Sequence, residues 1–290
     1  MRRTSSRSKS PEHRALGRRS GALRAARPSP TPSVRPSAQR SGVPAKKSLG
    51  QNFLKHDRIA ERIALAAPLT NESVVLEVGP GTGKLTRALL ARAKKVIAVE
   101  ADERMIPLLR ETFSQELARG RLELLRADIR TFPLETLPQG YQVVANIPYY
   151  LTGELVRQLL TAQNQPSALT LLVQKEVAER IARSKKESLL SLSVKAFGEP
   201  LYAFTVPRGA FSPAPKVDSA VLVIRRVSRG RFASEAEEAR FFALLRAGFG
   251  HKRKQLAKNL EDAGFPPHRL PEKIRAEDLS LEDWLSLART

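Results

Sequence analysis

Four apolar runs, at 73–78, 96–99, 122–125 and 142–145, are separated by stretches of helical periodicity, and Glu77, Glu100, Asp128 and Asn146 fall at or just after their ends. Near-continuous apolar strands alternating with helices are buried on both faces, which requires a parallel sheet covered by helices on each side. A sheet of that kind gathers its ligands at the carboxyl ends of the strands. Four polar side chains at four corresponding points therefore mark one site. The expected class is α/β, a Rossmann-like sheet with helices on both faces.

The helices expected around these strands run from Asp57, read as an N-cap, through Ile63 and Leu65, then over 84–93 and 102–117. The texture changes after residue 205. Phe211-Ser-Pro-Ala-Pro-Lys-Val217 is a proline-stiffened loop, 219–226 reads as a strand, and helical stretches follow near 236–247, 252–263 and 279–287. This predicts a ligand-binding domain over 46–205 and a small, mainly helical C-terminal domain over 206–290.

Glu77-Val-Gly-Pro-Gly-Thr-Gly83 joins the first strand to a helix. Gly79 and Gly81 allow a tight turn and a close approach of backbone to ligand. The loop is not a phosphate-binding Walker loop, because Leu85 follows Lys84 where Ser or Thr is needed. The acid before it disfavours phosphate and suits a cationic ligand. Glu100, at the end of the second strand, can accept from both hydroxyls of a ribose. Asp128, after the third, can accept from an adenine amino group. An adenosine bearing a sulfonium and an ammonium, S-adenosylmethionine, satisfies all three acids.

Asn146-Ile147-Pro148-Tyr149 closes the fourth strand. An aromatic exocyclic amine is a poor nucleophile because its lone pair is delocalised into the ring. Two acceptors aimed at its hydrogens expose that pair, and the Asn146 side-chain oxygen and the Ile147 carbonyl can supply them. Pro148 stiffens the turn, and Tyr149 can stack on a base turned out of its helix. Tyr150 offers a second stacking surface, and Phe211 is expected to wall the base pocket from the opposite side. Such a centre works by positioning and electrostatics, without a tuned general base.

Charge points to the partner. The chain holds 50 Lys and Arg against 29 Asp and Glu, a net +21. An excess of this size favours a polyanion. Residues 1–45 carry +10 of it, with six prolines, nine serines and no aromatic residue, a composition expected to be a disordered basic extension. Lys252, Arg253 and Lys254, read as part of a basic helix, are expected to touch RNA phosphates. The absence of cysteine excludes disulfides, thiolate-bound zinc and a thiol nucleophile. The four histidines show no metal-ligand spacing. No apolar run is long enough for a transmembrane helix.

These residues resemble the KsgA family of ribosomal RNA adenine dimethyltransferases and, more distantly, the Erm methyltransferases. The likeness extends over roughly 46–287 through Lys47-Ser-Leu-Gly-Gln-Asn-Phe-Leu54, the 77–83 loop, Glu100, Ala127-Asp128, Asn146-Ile-Pro-Tyr-Tyr150, Gln174-Lys-Glu-Val-Ala-Glu-Arg180, 211–221, Lys252-Arg-Lys-Gln-Leu256 with Asn259-Leu260, and Arg275-Ala-Glu-Asp-Leu-Ser280. It departs from the family at 183–190, where a Tyr- and Gly-containing loop is replaced by Arg-Ser-Lys-Lys-Glu-Ser-Leu-Leu. The resemblance implies a cytoplasmic, S-adenosylmethionine-dependent methyltransferase acting as a monomer on the assembling 30S subunit. It implies dimethylation of two adjacent adenines near the 3′ end of 16S rRNA, or, on the Erm pattern, of one adenine in 23S rRNA. It further implies that Gln51, Asn52 and Leu54 close over the cofactor and that Asn146 contacts it.

Overall fold

The computed structural model describes residues 43–46, 49–265, 270–271 and 273–290. Apart from 43–45, the basic extension expected over 1–45 lies outside the described residues. The strands are β1 (Phe53–Leu54), β2 (Val74–Val78), β3 (Lys95–Glu100), β4 (Leu122–Arg126), β5 (Gln142–Asn146), β6 (Ala168–Gln174), β7 (Glu199–Val206), β8 (Phe211–Ser212) and β9 (Ser219–Arg225). The α-helices are α1 (Asp57–Ala66), α2 (Lys84–Leu90), α3 (Met105–Thr112), α4 (Ser114–Ala118), α5 (Thr152–Thr161), α6 (Lys175–Ala182), α7 (Leu189–Phe197), α8 (Glu235–Gly248), α9 (Leu256–Asp262) and α10 (Leu281–Arg289).

Seven strands form one sheet in the order β4-β3-β2-β5-β6-β9-β7. The pairs from β4 to β6 are parallel, and β9 runs antiparallel to both its neighbours. The chain winds outward from β2 to β4 and then returns to place β5 beside β2. The strand order therefore reverses between β2 and β5, and a crevice opens at their carboxyl ends. The 79–83 loop leaves one of these strands and Asn146 ends the other.

The period-2 alternation of each strand divides the core into two layers. Leu76, Ile97, Val143, Leu171 and Leu222 pack toward α5, α6 and α7. Val75, Val96, Val144, Leu172 and Val223 pack toward α1, α2 and α3. Helices cover both faces, as the apolar strands require.

Some boundaries differ from the sequence reading. The expected division at 205/206 does not fall at a break, because β9 lies inside the sheet with all its residues but Arg225 buried, and 41–290 form one compact unit. A strand that supplies a central ladder belongs to the sheet whatever its place in the chain. The residues after it build a separate apolar cluster, in which Trp284, Phe241, Leu244 and Leu260 pack with Leu192 and Ala196 of α7. His56, not Asp57, takes the N-cap position of α1, while Asp57 forms an ion pair with Lys84 at the start of α2. The helix expected over 102–117 breaks at Phe113, whose ring packs under Gly83.

That contact makes Gly83 a stability determinant. Its φ is +80°, and a Cβ there would lie 2.5 Å from the Phe113 ring. Gly83→Ala combines left-handed strain with overpacking, so it should cost about 2 kcal/mol. The urea midpoint of unfolding measures this.

Candidate active site

The crevice is lined by residues from four strand ends and from the segment before β1. Gln51, Asn52, Phe53, Gly79, Gly81, Glu100, Asp128, Asn146, Ile147, Pro148, Tyr149 and Tyr150 all face it. The sequence placed most of these together, and the fold brings them to one cavity.

Gly79 has φ +69°, and a Cβ there would meet no described residue within 4 Å, so its backbone is open toward the cavity. A ligand can therefore lie against the chain there. Glu100 is fixed on both oxygens, Oε2 accepting from the Gly81 amide at 3.0 Å and Oε1 from the Asp102 amide at 2.8 Å. Each oxygen keeps a lone pair for a ribose hydroxyl. Burial pushes this carboxyl up, and the amides of Asp102 and Gly81 oppose the shift. The Asp128 carboxyl is lowered by the Arg130 guanidinium that grips it.

The segment before β1 forms the roof. Gln51 donates from Nε2 to Asp102 at 2.9 Å and accepts from the Lys46 amide at 2.8 Å. Asp102 is buried and also binds Arg104 in a bidentate pair, so its carboxyl is held well below the usual range. Phe53 closes over the glycine loop, its ring 3.0 Å from a Cβ placed at Gly81. The roof is held from below, since Phe53 and Leu54 pair antiparallel with Ser212 and Phe211.

At the end of β5 the Asn146 amide nitrogen donates to the Asn52 carbonyl at 3.0 Å. A carbonyl only accepts, so the nitrogen must face it, and Oδ1 is left to accept from a ligand. Tyr149 is anchored by its hydroxyl, 2.6 Å from that of the fully buried Ser219 on β9. The ring is thereby held beside Asn146. Tyr150 is 61% exposed at the mouth, where an incoming base can meet it.

Three expected residues are elsewhere. Glu77 is fully buried on the α2 side of the sheet, and neither of its carboxylate oxygens has a hydrogen-bond partner among the described residues. Strand alternation turns it away from the cavity that Val78 and Gly79 reach. Burial pushes its carboxyl up to about 8, with the nearby Glu100 carboxylate adding to the shift. Phe211 is buried under the roof with Leu54 in the α1–α3 layer and does not wall the cavity. Leu54 is likewise core, and supports the roof without facing the ligand space. Both side chains face inward because the β1–β8 pair packs on the sheet.

Lys252, Arg253 and Lys254 are exposed, in a turn before α9 and not in a helix. Asn259, itself buried, donates to the carbonyls of Gly248 and His251 and so fixes the start of that turn. Asp102, Phe53 and Arg130 were missed. An acid two residues beyond Glu100 was a usable signal for the first; nothing local distinguished Phe53 or Arg130.

Known proteins match most of the chain, from residue 42 onward. A family model described as ribosomal RNA adenine dimethylase matches residues 42–290. A protein named ribosomal RNA small subunit methyltransferase A from Dehalococcoides mccartyi is 40% identical over 262 residues, 84% of this chain and 87% of its own length. Its namesake from Fusobacterium nucleatum is 35% identical, over 84% of this chain and 96% of its own. Among solved structures, a dimethyladenosine transferase from Plasmodium falciparum is similar with a TM-score of 0.67 and 28% identity, covering 81% of this chain and 95% of its own. The 23S rRNA methyltransferase ErmE is similar with a TM-score of 0.65 and 28% identity, over 82% and 98%.

Proposed function

The chain belongs to the ribosomal RNA adenine dimethylase family, and on that premise we propose that it transfers methyl groups from S-adenosylmethionine to the N6 amines of two adjacent adenines near the 3′ end of 16S rRNA. The observation that carries this reading is the Asn146 corner. Its amide is turned by Asn52 so that an oxygen acceptor faces the cavity, next to an anchored aromatic ring.

The residues present fit the cofactor. Glu100 offers oriented oxygens for a ribose, the open backbone at Gly79 admits the ligand chain, and Asp128, on the same cavity, is the acceptor we assign to the adenine amine. When bound, S-adenosylmethionine supplies a methyl group activated by a sulfonium. The protein's part is to hold the acceptor amine. Asn146 Oδ1 and the Ile147 carbonyl accept its hydrogens, and Tyr149 holds the ring plane of the base. Pro148 fixes the turn that carries the carbonyl. The roof from Gln51 to Phe53 keeps bulk water from the cavity. Removing a proton from the methylated amine needs no dedicated base, because the cationic product is acidic enough to lose it to water.

In the same reading the chain acts as a monomer, in the cytoplasm, on the assembling 30S subunit, the small subunit being the one named in its relatives. No described helix is long and apolar enough to cross a membrane. The relatives that share 35–40% identity bear a small-subunit name, which favours 16S rRNA over the 23S target in the name of ErmE. Mapping methylated adenines in both rRNAs of a deletion strain tests the choice. The small-subunit dimethyladenines should vanish; their survival would sink the reading.

We assign the helical cluster after β9 to rRNA-backbone contact through the 252–254 turn. Replacing Lys252, Arg253 and Lys254 by Gln should weaken subunit binding and lower the slope of log K against log salt by about one for each phosphate no longer neutralised. Filter binding across a salt series measures it.

A further inference from the structure

Arg130 belongs to two cavities. It walls the cofactor space beside Asp128, and it also lines a second cleft of about 670 Å³ with Glu154, Arg157, Arg229 and Arg246. Its grip engages both oxygens of Asp128. Oδ1 accepts from the Arg130 amide at 3.0 Å and from Nε at 3.1 Å, and Oδ2 accepts from Nε at 3.0 Å and Nη2 at 2.5 Å. These contacts use three hydrogens, the single Nε hydrogen being shared between the two oxygens, so Arg130 engages both oxygens of the acceptor assigned above to the cofactor's adenine. The amine therefore competes with the guanidinium for Asp128.

Letting go is feasible. The Arg130 and Asp128 side chains are 52% and 38% exposed, and ion pairs that far exposed are weak. The released guanidinium also has somewhere to go. Glu154 is close enough to add to the negative potential at Arg130. Glu154, Arg157 and Arg246 lie in the second cleft and form no ion pair among the described residues, whereas Arg229 is held by Glu238 and by the carbonyls of Thr161 and Ala162. Arg130 is the residue the two cavities share, and exposed Tyr150 lines the first of them.

We propose that Arg130 is a positioning residue that exchanges partners: the cofactor's adenine takes Asp128 from it, and its guanidinium turns into the second cleft to hold a phosphate of the RNA strand next to the target adenine. The planar fork of Arg suits phosphate as well as carboxylate, and Arg157 and Arg246 extend the same path. The inference rests on the function proposed above. Linkage then makes cofactor and RNA strengthen one another by the same factor.

The test uses the full chain, S-adenosylhomocysteine and undermethylated small subunits, with calorimetric Kd values measured for each alone and together. Arg130→Leu should bind S-adenosylhomocysteine roughly 3–10-fold more tightly than the parent in the absence of subunits, because Asp128 is freed. In the parent, S-adenosylhomocysteine should tighten subunit binding several-fold, and added salt should shrink that gain as expected for a phosphate contact. In Arg130→Leu the gain should disappear. Arg130→Lys, a point charge without the fork, should fall between on both readings, and thermal unfolding shows whether either variant is folded. Unchanged or weaker S-adenosylhomocysteine binding by Arg130→Leu overturns the exchange. So does a gain that survives the substitution or ignores salt. Methylation of subunits by the parent is run in parallel: its absence defeats the functional reading beneath, while normal methylation with an inert Arg130→Leu defeats the exchange alone.

Discussion

Asn146→Ala should slow methyl transfer by about 10²–10³-fold, the loss typical when one preorganised polar group is removed from a reacting centre. The rate should fall while S-adenosylhomocysteine binding changes by only a few-fold, since Glu100 and Asp128 keep their own places in the cavity. The informative companion is Asn146→Asp. It retains an acceptor oxygen but loses the donor that the Asn52 carbonyl requires, at 3.0 Å. Oxygen would then face oxygen, the side chain would turn, and the roof would lose its tie to the strand end. Both variants should therefore be impaired, Asp no less than Ala. Single-turnover transfer of labelled methyl to small subunits measures the effect; unchanged turnover by Asn146→Ala would remove the assignment.

The second large effect is on stability. The unliganded protein should lose stability as pH rises from about 5 to about 8, and Glu77→Gln should abolish much of that loss. The Glu77 carboxyl has its folded value raised from 4.5 to about 8 by burial. Below pH 4.5 it is neutral in both states and costs nothing. Between 4.5 and 8 the unfolded chain releases the proton while the folded chain keeps it, so stability falls with pH. Above 8 the full penalty is present. At about 1.4 kcal/mol per pH unit, the difference amounts to roughly 3–5 kcal/mol. Glu77→Gln leaves a neutral amide among Thr86, Ala98 and Val144, so the variant should match or trail the parent at pH 5 and exceed it at pH 9. Urea midpoints at the two pH values decide, and parallel profiles for the two proteins would contradict the burial argument.

These two residues show what a sequence can carry. Asn146 was legible because its chemistry is local: a strand end, an amide, a carbonyl and a proline occupy consecutive positions. Glu77 looked like a ligand residue for the same local reason, since an acid precedes a glycine loop. Its real position depends on which face of β2 it occupies, and only the neighbours Ala98 and Val144 determine that. Phe211 failed in the same way. Its role depends on pairing with Leu54, far away in the chain, and no local pattern reveals such a pair. The parallel core from β2 to β5 was read nearly to the residue because alternation and strand ends are short-range signals. Strand β9, the one antiparallel to both its neighbours, was recognised as a strand and assigned to the wrong domain, since its partners Leu169–Gln174 and Glu199–Val206 are also distant. The clasp of Arg130 on Asp128 is only two residues long, yet its meaning comes from the two cavities it divides.

The pairing of Phe53–Leu54 with Phe211–Ser212 has a consequence for synthesis on the ribosome. The segment that will roof the cavity emerges early, but the strand that holds it down emerges only after the parallel sheet has been made. Through most of translation the glycine loop and its acids are present beneath a cover that lacks its strand partner. A nascent chain that stopped before 211 could assemble β2 to β6 yet hold that cover only by the Gln51–Asp102 and Asn52–Asn146 hydrogen bonds. The cover gains its full fastening only when the sheet is nearly complete, so firm retention of the methyl donor is expected late in synthesis.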